Sequence, residues 1–303
     1  MANIMETTEW SNHTTLRGID LIIFDWLDQR PRVGRQIFNV RESSQYQEDT
    51  QTVGGAGLMT QMGEGSSLSY VSLSEGFKQT FTHLDYGNGM RITRRLRRED
   101  MYGTTENQAA ELGRMAAATE ETVLADHFIN GFDSSYTGAD GVELFSSAHV
   151  REDGSTYANE LSSTADLSVT SLEQALIDFS DIRDGGGKRV QVEPKMLLVP
   201  KELRFEAHRL VKSSKNPEND SNASNALEGL LDVTVWNYLT DTDAWFILAD
   251  KSDHQLLLYT REEPWTDYEQ DFETKDQKVS LMYAQSSGWA DPRGIFGVEG
   301  VLE

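Results

Sequence analysis

The chain has 303 residues, 38% of them hydrophobic, which is enough for one large core or two moderate ones and lacks the bias of a disordered or collagen-like chain. No apolar run approaches the roughly eighteen residues of a membrane span, no basic-then-apolar leader opens the chain, and cysteine is absent, so disulfides and thiolate metal sites are excluded and a reducing cytoplasm suits it. A net charge of −23 gives nucleic acid little to release counterions against.

The charge is unevenly spread. Residues 1–100 carry 11 basic and 13 acidic side chains, and the rest of the chain 16 and 37. An arginine-rich N-terminal third is thus suited to lie on the acidic surface of a neighbouring copy and relieve its self-repulsion.

Residues 1–34 are polar apart from the Ile19–Leu27 cluster, the one segment able to anchor them, and they form an expected arm. Strand-like pieces at Gln36–Arg41 and Tyr70–Leu84 flank a stretch containing Gly54, Gly55, Gly57, Gly63 and Gly65, which predicts a long hairpin with a flexible tip. Such a hairpin is marginal alone and either moves or rests on a partner.

The strongest helix signal begins with Thr104 or Thr105 as N-cap and runs to Asn130 before Gly131. Ala109, Leu112, Ala116, Thr119, Val123 and Phe128 define its narrow buried face, with Glu111, Glu120, Glu121 and Asp126 placed elsewhere. A second helix is expected from a Thr170/Glu173 capping box to a stop at Gly185-Gly186-Gly187, and a strand at Val192–Val199 leads into a third helix opened by Pro200. Lys212–Asn225 is a polar exposed loop, followed by strands at Val233–Trp236, Trp245–Ala249, Leu256–Tyr259 and Val279–Gln285.

Catalytic signatures are missing: there is no GxSxG, HExxH, dinucleotide fingerprint or P-loop, and Gly185–Lys188 ends a helix where a phosphate cradle would start one. Ser146, Ser147 and His149 lie close together without an evident orienting carboxylate, so they are expected to be loop residues. Asp241 with Asp243, and Asp250 with Asp253 and His254, lack calcium-loop spacing and are expected in turns. No catalytic, cofactor or metal site is assigned. Arg91, Arg94, Arg95, Arg97 and Arg98 form the one dense basic cluster and suit ion pairing between subunits. Lys78 is the only lysine before Lys188. With Gly54, Gly55 and Gly57 it completes the set of candidate inter-subunit contacts, although an ordinary surface role is the simpler reading for Lys78.

Leu144-Phe145-Ser146-Ser147-Ala148-His149, followed by Asn159-Glu160-Leu161, resembles the Mu-like prophage major head subunits and related tailed-phage capsid proteins. Lys195–Pro200 (KMLLVP), Ala244–Asp250 (AWFILAD) and Trp289–Gly297 (WADPRGIFG) fall in the family's order, so the resemblance spans about residues 105–300. It implies an α+β fold of the Hong Kong 97 type, with an N-terminal arm (1–40), an extended loop (41–84), a peripheral domain (85–150) holding a spine helix (105–130), an axial domain (151–270) and a return strand to the peripheral domain (271–303). It further implies a virion protein that self-assembles in the host cytoplasm into the pentamers and hexamers of an icosahedral head, enclosing double-stranded DNA without binding it specifically. Its expected partners are other copies of itself, a separate scaffolding protein, a portal protein and a decoration protein, with no membrane. An encapsulin-like nanocompartment shell shares that fold and stands as the alternative, with a hydrolase using Ser147 and His149 behind it.

Overall fold

The computed structural model describes residues 16–28, 32–55, 58–59, 61–65, 67–68, 70, 75–99, 103–151, 154–215 and 224–301. Their elements run α1 (Leu16–Asp28), α2 (Val33–Ile37), β1 (Asn39–Glu42), β2 (Gln47–Val53), β3 (Glu75–Thr82), β4 (Leu84–Ile92), α3 (Arg94–Glu99), α4 (Thr104–Ile129), β5 (His149–Val150), β6 (Thr156–Tyr157), α5 (Val169–Ser180), β7 (Pro194–Val199), α6 (Arg204–Lys212), β8 (Asp232–Val235), β9 (Trp245–Ala249), β10 (Leu256–Gln270), β11 (Gln277–Trp289) and β12 (Ile295–Val298). Two four-stranded sheets form, ordered β1-β10-β11-β4 and β12-β9-β7-β8, with β2-β3 and β5-β6 as separate pairs.

The second sheet is covered on both faces, which explains why β9 is an unbroken apolar run. Trp245, Ile247 and Ala249 face α5 and α6 in one core, with Leu172, Phe179 and Leu210. Phe246 and Leu248 face the opposite way, onto Phe128 near the end of α4 and onto Trp236. The N-terminal half of α4 instead sits over the first sheet, where Leu112 meets Leu281 and Val279 together with Ile19 and Ile23 of α1. With 26 residues, and so about 39 Å long, α4 joins these separate cores.

That double coverage corrects the expected helix face. The buried stripe does not pass through Thr119, which is exposed, but through Gly113, Ala117, Glu120, Glu121, Leu124 and Phe128. Small residues dominate because α1 crosses closely: a Cβ on Gly113 would lie 2.4 Å from the carbonyl oxygen of Ile23.

Other boundaries move for local reasons. Gly103 in the left-handed region (φ 66°), not a threonine, occupies the N-cap of α4. The capping box of α5 is Ser168 with Ser171, two residues ahead of the expected pair. The helix stops at Ser180, and Gly185–Gly187 form a turn in which Asp184 accepts from the backbone of Gly186 (3.1 Å) and Lys188 (2.8 Å). Pro200 precedes α6 by four residues instead of opening it. The expected strand at Gln36–Arg41 is the end of α2 followed by β1, which pairs in parallel with β10; of the expected strand at Tyr70–Leu84, residues 71–74 lie outside the described residues and 75–84 form β3 and the start of β4. Part of the Lys212–Asn225 loop, 216–223, lies outside the described residues.

β10 and β11 extend well beyond the expected strands and form a long antiparallel ribbon. β10 is buried from Leu256 to Thr260 and largely exposed beyond, and its register against β11 shifts between Thr260 and Glu262 and again between Glu262 and Trp265.

Two histidines sit inside this framework. His127 of α4 lies between the rings of Phe38 and Trp289 with Nε2 2.8 Å from Ser287 Oγ, and Nδ1 of His254 accepts from the Leu256 backbone. Burial lowers both imidazoles from 6.5 to about 4.

Two outcomes are expected. Gly113→Ala gains about 1 kcal/mol of helix preference but overpacks the α1 crossing, so urea denaturation should show a net loss of about 1–3 kcal/mol. Between pH 6.5 and about 4 the unfolded chain takes up protons that folded His127 and His254 refuse, so both contributions fade as pH falls through that window. The urea midpoint of a His127→Gln/His254→Gln variant should therefore drop less between pH 7 and 4.5 than that of the natural chain.

Candidate assembly interface

The hairpin and arginine cluster singled out in the sequence are held by their own chain at one end and left exposed at the other. The β2-β3 hairpin is rooted by Phe81, buried against Leu257, Tyr259 and Ala290, and by Thr50 Oγ1 at 2.8 Å from the Tyr259 hydroxyl. Beside it, His83 lies 3.0 Å from both Ser43 Oγ and Ser286 Oγ. The choice between motion and a partner therefore omitted a third outcome, a base docked on the chain's own sheet. Beyond that base, Leu58, Met59, Leu68 and Tyr70 are exposed, Met59 fully at 102%.

Lys78 is half-exposed and pairs across the hairpin with Asp49 at 2.7 Å. With Thr80, it holds the Asp49 carboxyl below the usual carboxylate range. Gly54 is buried, and Gly55 lies against the Asp184 carboxyl, which a Cβ would approach to 2.6 Å. Gly57 lies outside the described residues.

The arginines divide by role. Arg91 on β4 binds Asp276 at 2.8 Å, and the same carboxylate accepts from the Arg94 backbone at 3.0 Å. Those donors, the backbone contact foremost, keep the Asp276 carboxyl below its ordinary range and pin the start of α3 to the β10-β11 turn. Arg95 and Arg98 are exposed and, among the described residues, pair with Glu99 of the same helix, at 3.1 and 3.8 Å, and the Arg94 side chain is also exposed. The side chain of Arg97 is outside the described residues. On the adjoining turn, Lys275 stacks 4.0 Å from the ring of Phe272, which is 86% exposed. This corner thus combines cations with an exposed aromatic ring.

Sequence reasoning missed the group that positions these surfaces. Glu120 and Glu121 are buried on α4, not solvated. Glu120 takes Arg32 at 3.2 Å and the Arg35 guanidinium, while Glu121 accepts from the Gly34 backbone at 3.0 Å and from Trp236 Nε1 at 2.6 Å. Burial pushes the Glu121 carboxyl upward, against the opposing pull of the Trp236 and Gly34 donors. The available signal was spacing: Glu120 and Glu121 fall three and four residues after Ala117 and four and three before Leu124, in line with the buried stripe.

The His149 cluster also differs from expectation, since an orienting carboxylate is present: Asp140 Oδ2 lies 2.6 Å from His149 Nδ1. The ring is nonetheless fully buried, with Nε2 turned to the Leu144 carbonyl at 3.2 Å, and Ser147 is exposed. Neither ring nitrogen faces a serine nucleophile, so the arrangement is structural. Asn159 closes it by accepting from Ser146 N at 2.9 Å and donating to the Leu144 carbonyl at 2.8 Å, and its own carbonyl receives Gly297 N at 3.0 Å. Phe145 packs where a side chain at 297 would stand, 2.5 Å from a Cβ there. Three of the segments that carry the sequence resemblance thus meet in one knot. Among the described residues no group of acidic or histidine side chains could hold a metal, and no helix is long and apolar enough to cross a membrane.

The phage capsid protein family matches residues 78–298, most of the chain. The chain belongs to that family. Solved capsids share its fold at low identity. The mature capsid of bacteriophage PhiM1 aligns with a TM-score of 0.62 at 12% identity, covering 90% of this chain and 88% of that one. The capsid of bacteriophage JBD30, decorated with minor capsid protein trimers, gives 0.57 at 14%, covering 70% and 92%. A virus-like particle from Pyrococcus furiosus gives 0.57 at 10%, covering 93% and 98%. No curated protein sequence matches the chain. The fold is the mixed α/β Hong Kong 97-type capsid fold, and the protein is a structural capsid subunit, not an enzyme.

Because Glu120 neutralises two arginines, Glu120→Gln should destabilise the subunit by about 3 kcal/mol, the low end for an orphaned buried charge because Arg35 also reaches Glu263. Glu121→Gln should cost about 1–3 kcal/mol, since its amide turns an NH2 toward one of two donors. Urea denaturation of the soluble subunit measures both.

Proposed function

We propose that this chain is the major head subunit of a tailed bacteriophage, of the Mu-like group, forming the pentamers and hexamers of an icosahedral shell around double-stranded DNA. The match of the phage capsid protein family to residues 78–298 carries the reading. In this reading residues 1–40 are the arm and 41–84 the extended loop. The sequence resemblance puts residues 85–150 and 271–303 in the peripheral domain and 151–270 in the axial domain; the sheet order favours taking β10 with β4 and β11 into the peripheral domain, with α4 as its spine, and β12 with β7, β8 and β9 into the axial domain. Head-to-tail contacts between unlike surfaces of identical copies close such rings. The exposed tip of the β2-β3 hairpin and the cationic corner at Arg94, Arg95 and Arg98 supply unlike surfaces, and the acidic remainder of a neighbouring copy suits the arginines. A separate scaffolding protein, a portal protein and a decoration protein complete the set of partners, the last in keeping with the minor capsid trimers on the JBD30 shell. The acidic chain encloses DNA without holding it.

The Pyrococcus furiosus particle fits as well as JBD30, so fold alone leaves a nanocompartment shell as the second reading. Neighbouring genes separate the two: terminase, portal and scaffold genes against a cargo gene.

Electron microscopy of the expressed chain, alone and with a candidate scaffold, should show capsomers or closed shells; a monomer under every condition would overturn the proposal. Arg94→Glu/Arg95→Glu/Arg98→Glu should lower shell yield several-fold while leaving the monomer's melting temperature within about 2 °C, because exposed ion pairs contribute little to folding.

A further inference from the structure

The root of the β2-β3 hairpin holds a hydrogen-bonded chain with one titratable ring at its centre. His83, between β3 and β4, is 6% exposed. Its Nε2 stands 3.0 Å from Ser43 Oγ and its Nδ1 3.0 Å from Ser286 Oγ on β11. Ser43, just after β1, also lies 2.6 Å from Glu48 Oε1 on β2, and its oxygen accepts from the Gln45 backbone at 3.2 Å. These contacts assign the hydrogens. An ionised carboxylate only accepts, so the Ser43 hydroxyl hydrogen belongs to Glu48, and His83 Nε2 must donate to Ser43. Nδ1 then carries no hydrogen and accepts from Ser286. Donors and acceptors match along the whole chain when the ring is neutral.

A proton added at Nδ1 upsets that match. The ring becomes a donor at both nitrogens, so the hydroxyl hydrogen of Ser286, itself buried, has to turn away from it. The new charge is also poorly placed, out of water, edge-on to the Tyr259 ring at 6.4 Å and within the field of Arg261 on β10. Burial first, and Arg261 second, hold the imidazole below its ordinary 6.5 against the weaker pull of Glu48. When the hairpin lifts from the sheet, the ring meets water and takes up the proton freely. We propose that His83 is a proton-operated latch: neutral, it ties the hairpin to β11 and to the residues after β1; protonated, it loosens the root. The docked hairpin binds fewer protons than the lifted one, so docking is at full strength above 6.5 and weakens as pH falls below it. Phe81 in its apolar cluster and Thr50 on the Tyr259 hydroxyl remain as ties, so the hairpin is loosened and not released. The latch works inside one copy and stands or falls apart from the reading of the hairpin tip as a contact between copies.

The test is hydrogen exchange, read by mass spectrometry on the soluble full-length subunit at about pH 7.5 and about pH 5.5, on either side of an ordinary histidine. Rates are corrected for the intrinsic pH dependence of amide exchange. Opening of β2 and β3 should become several-fold more frequent at the lower pH, while β9, remote from the latch, should not change. In His83→Gln the pH dependence at the hairpin should disappear. If that variant does not fold, the imidazole resonances of His83 in the natural chain serve instead, and their titration midpoint should lie below 6.5. Equal protection of the hairpin at both pH values, an undiminished pH dependence in His83→Gln, or a midpoint at 6.5 or above would overturn the proposal.

Discussion

Two adjacent carboxylates buried in the middle of a packed helix must be met by donors, because a buried carboxylate without partners is far more costly than any packing gain nearby. In this protein the donors come from outside the helix. Arg32, Gly34 and Arg35 reach Glu120 and Glu121 from the N-terminal segment, and Trp236 reaches Glu121 from the loop after β8. That demand fixes where α2 lies and hence how β1 enters beside β10. It also holds α1 across Gly113 and brings the second sheet up to the last turns of α4. Asp20 secures the other end of α1, accepting from Thr266 at 2.6 Å and from the Tyr268 hydroxyl. The described residues ahead of β1, in α1 and α2, are therefore packed into the body of the fold.

Much of this was legible in the sequence wherever the cause was local. α4 announced itself by length, a glycine after its last turn and small residues at helical spacing, and β9 by five consecutive apolar positions. The errors arose where partners are remote. Glu120 and Glu121 looked like solvated charges because their donors lie 85 or more residues away, and no window of sequence contains both sides. β4 was hidden by Gly87 and Gly89, poor strand residues in isolation that are needed because Met282 and the Val279 carbonyl press close across the sheet. The outer half of β10 was missed because it is polar on most positions and exists through its ladder to β11. At α5 the type of cap was right and its place was not, since Ser168/Ser171 and Thr170/Glu173 offer similar chemistry two residues apart.

The candidate surfaces follow the same division. The arginine cluster was visible as composition, but its split into Arg91, which serves the fold through Asp276, and Arg94, Arg95 and Arg98, which remain on the surface, depended on a turn nearly two hundred residues away. Likewise, Phe81 roots the hairpin in its own sheet while the apolar side chains near its tip stay uncovered. The surfaces proposed as contacts are thus carried on supports rooted in the fold, which would keep the ordering entropy lost at the roots small.

The two register shifts in β10 bear on a geometric problem. A strand that runs from one packed region into another has to change direction without disturbing the side chains behind it. Bulges bend and over-twist a strand at low cost, and here they fall just where β10 leaves its buried stretch for its exposed one. The inner segment, Leu256 to Tyr259, is held by core side chains, while beyond the shifts Thr266 and Tyr268 hold Asp20 of α1 and Val279 and Leu281 of β11 pack on α4. The bend at residues 260–265 therefore sets the angle at which one strand passes from one packed neighbourhood to the next, as a mitre joint sets the angle between two rigid boards.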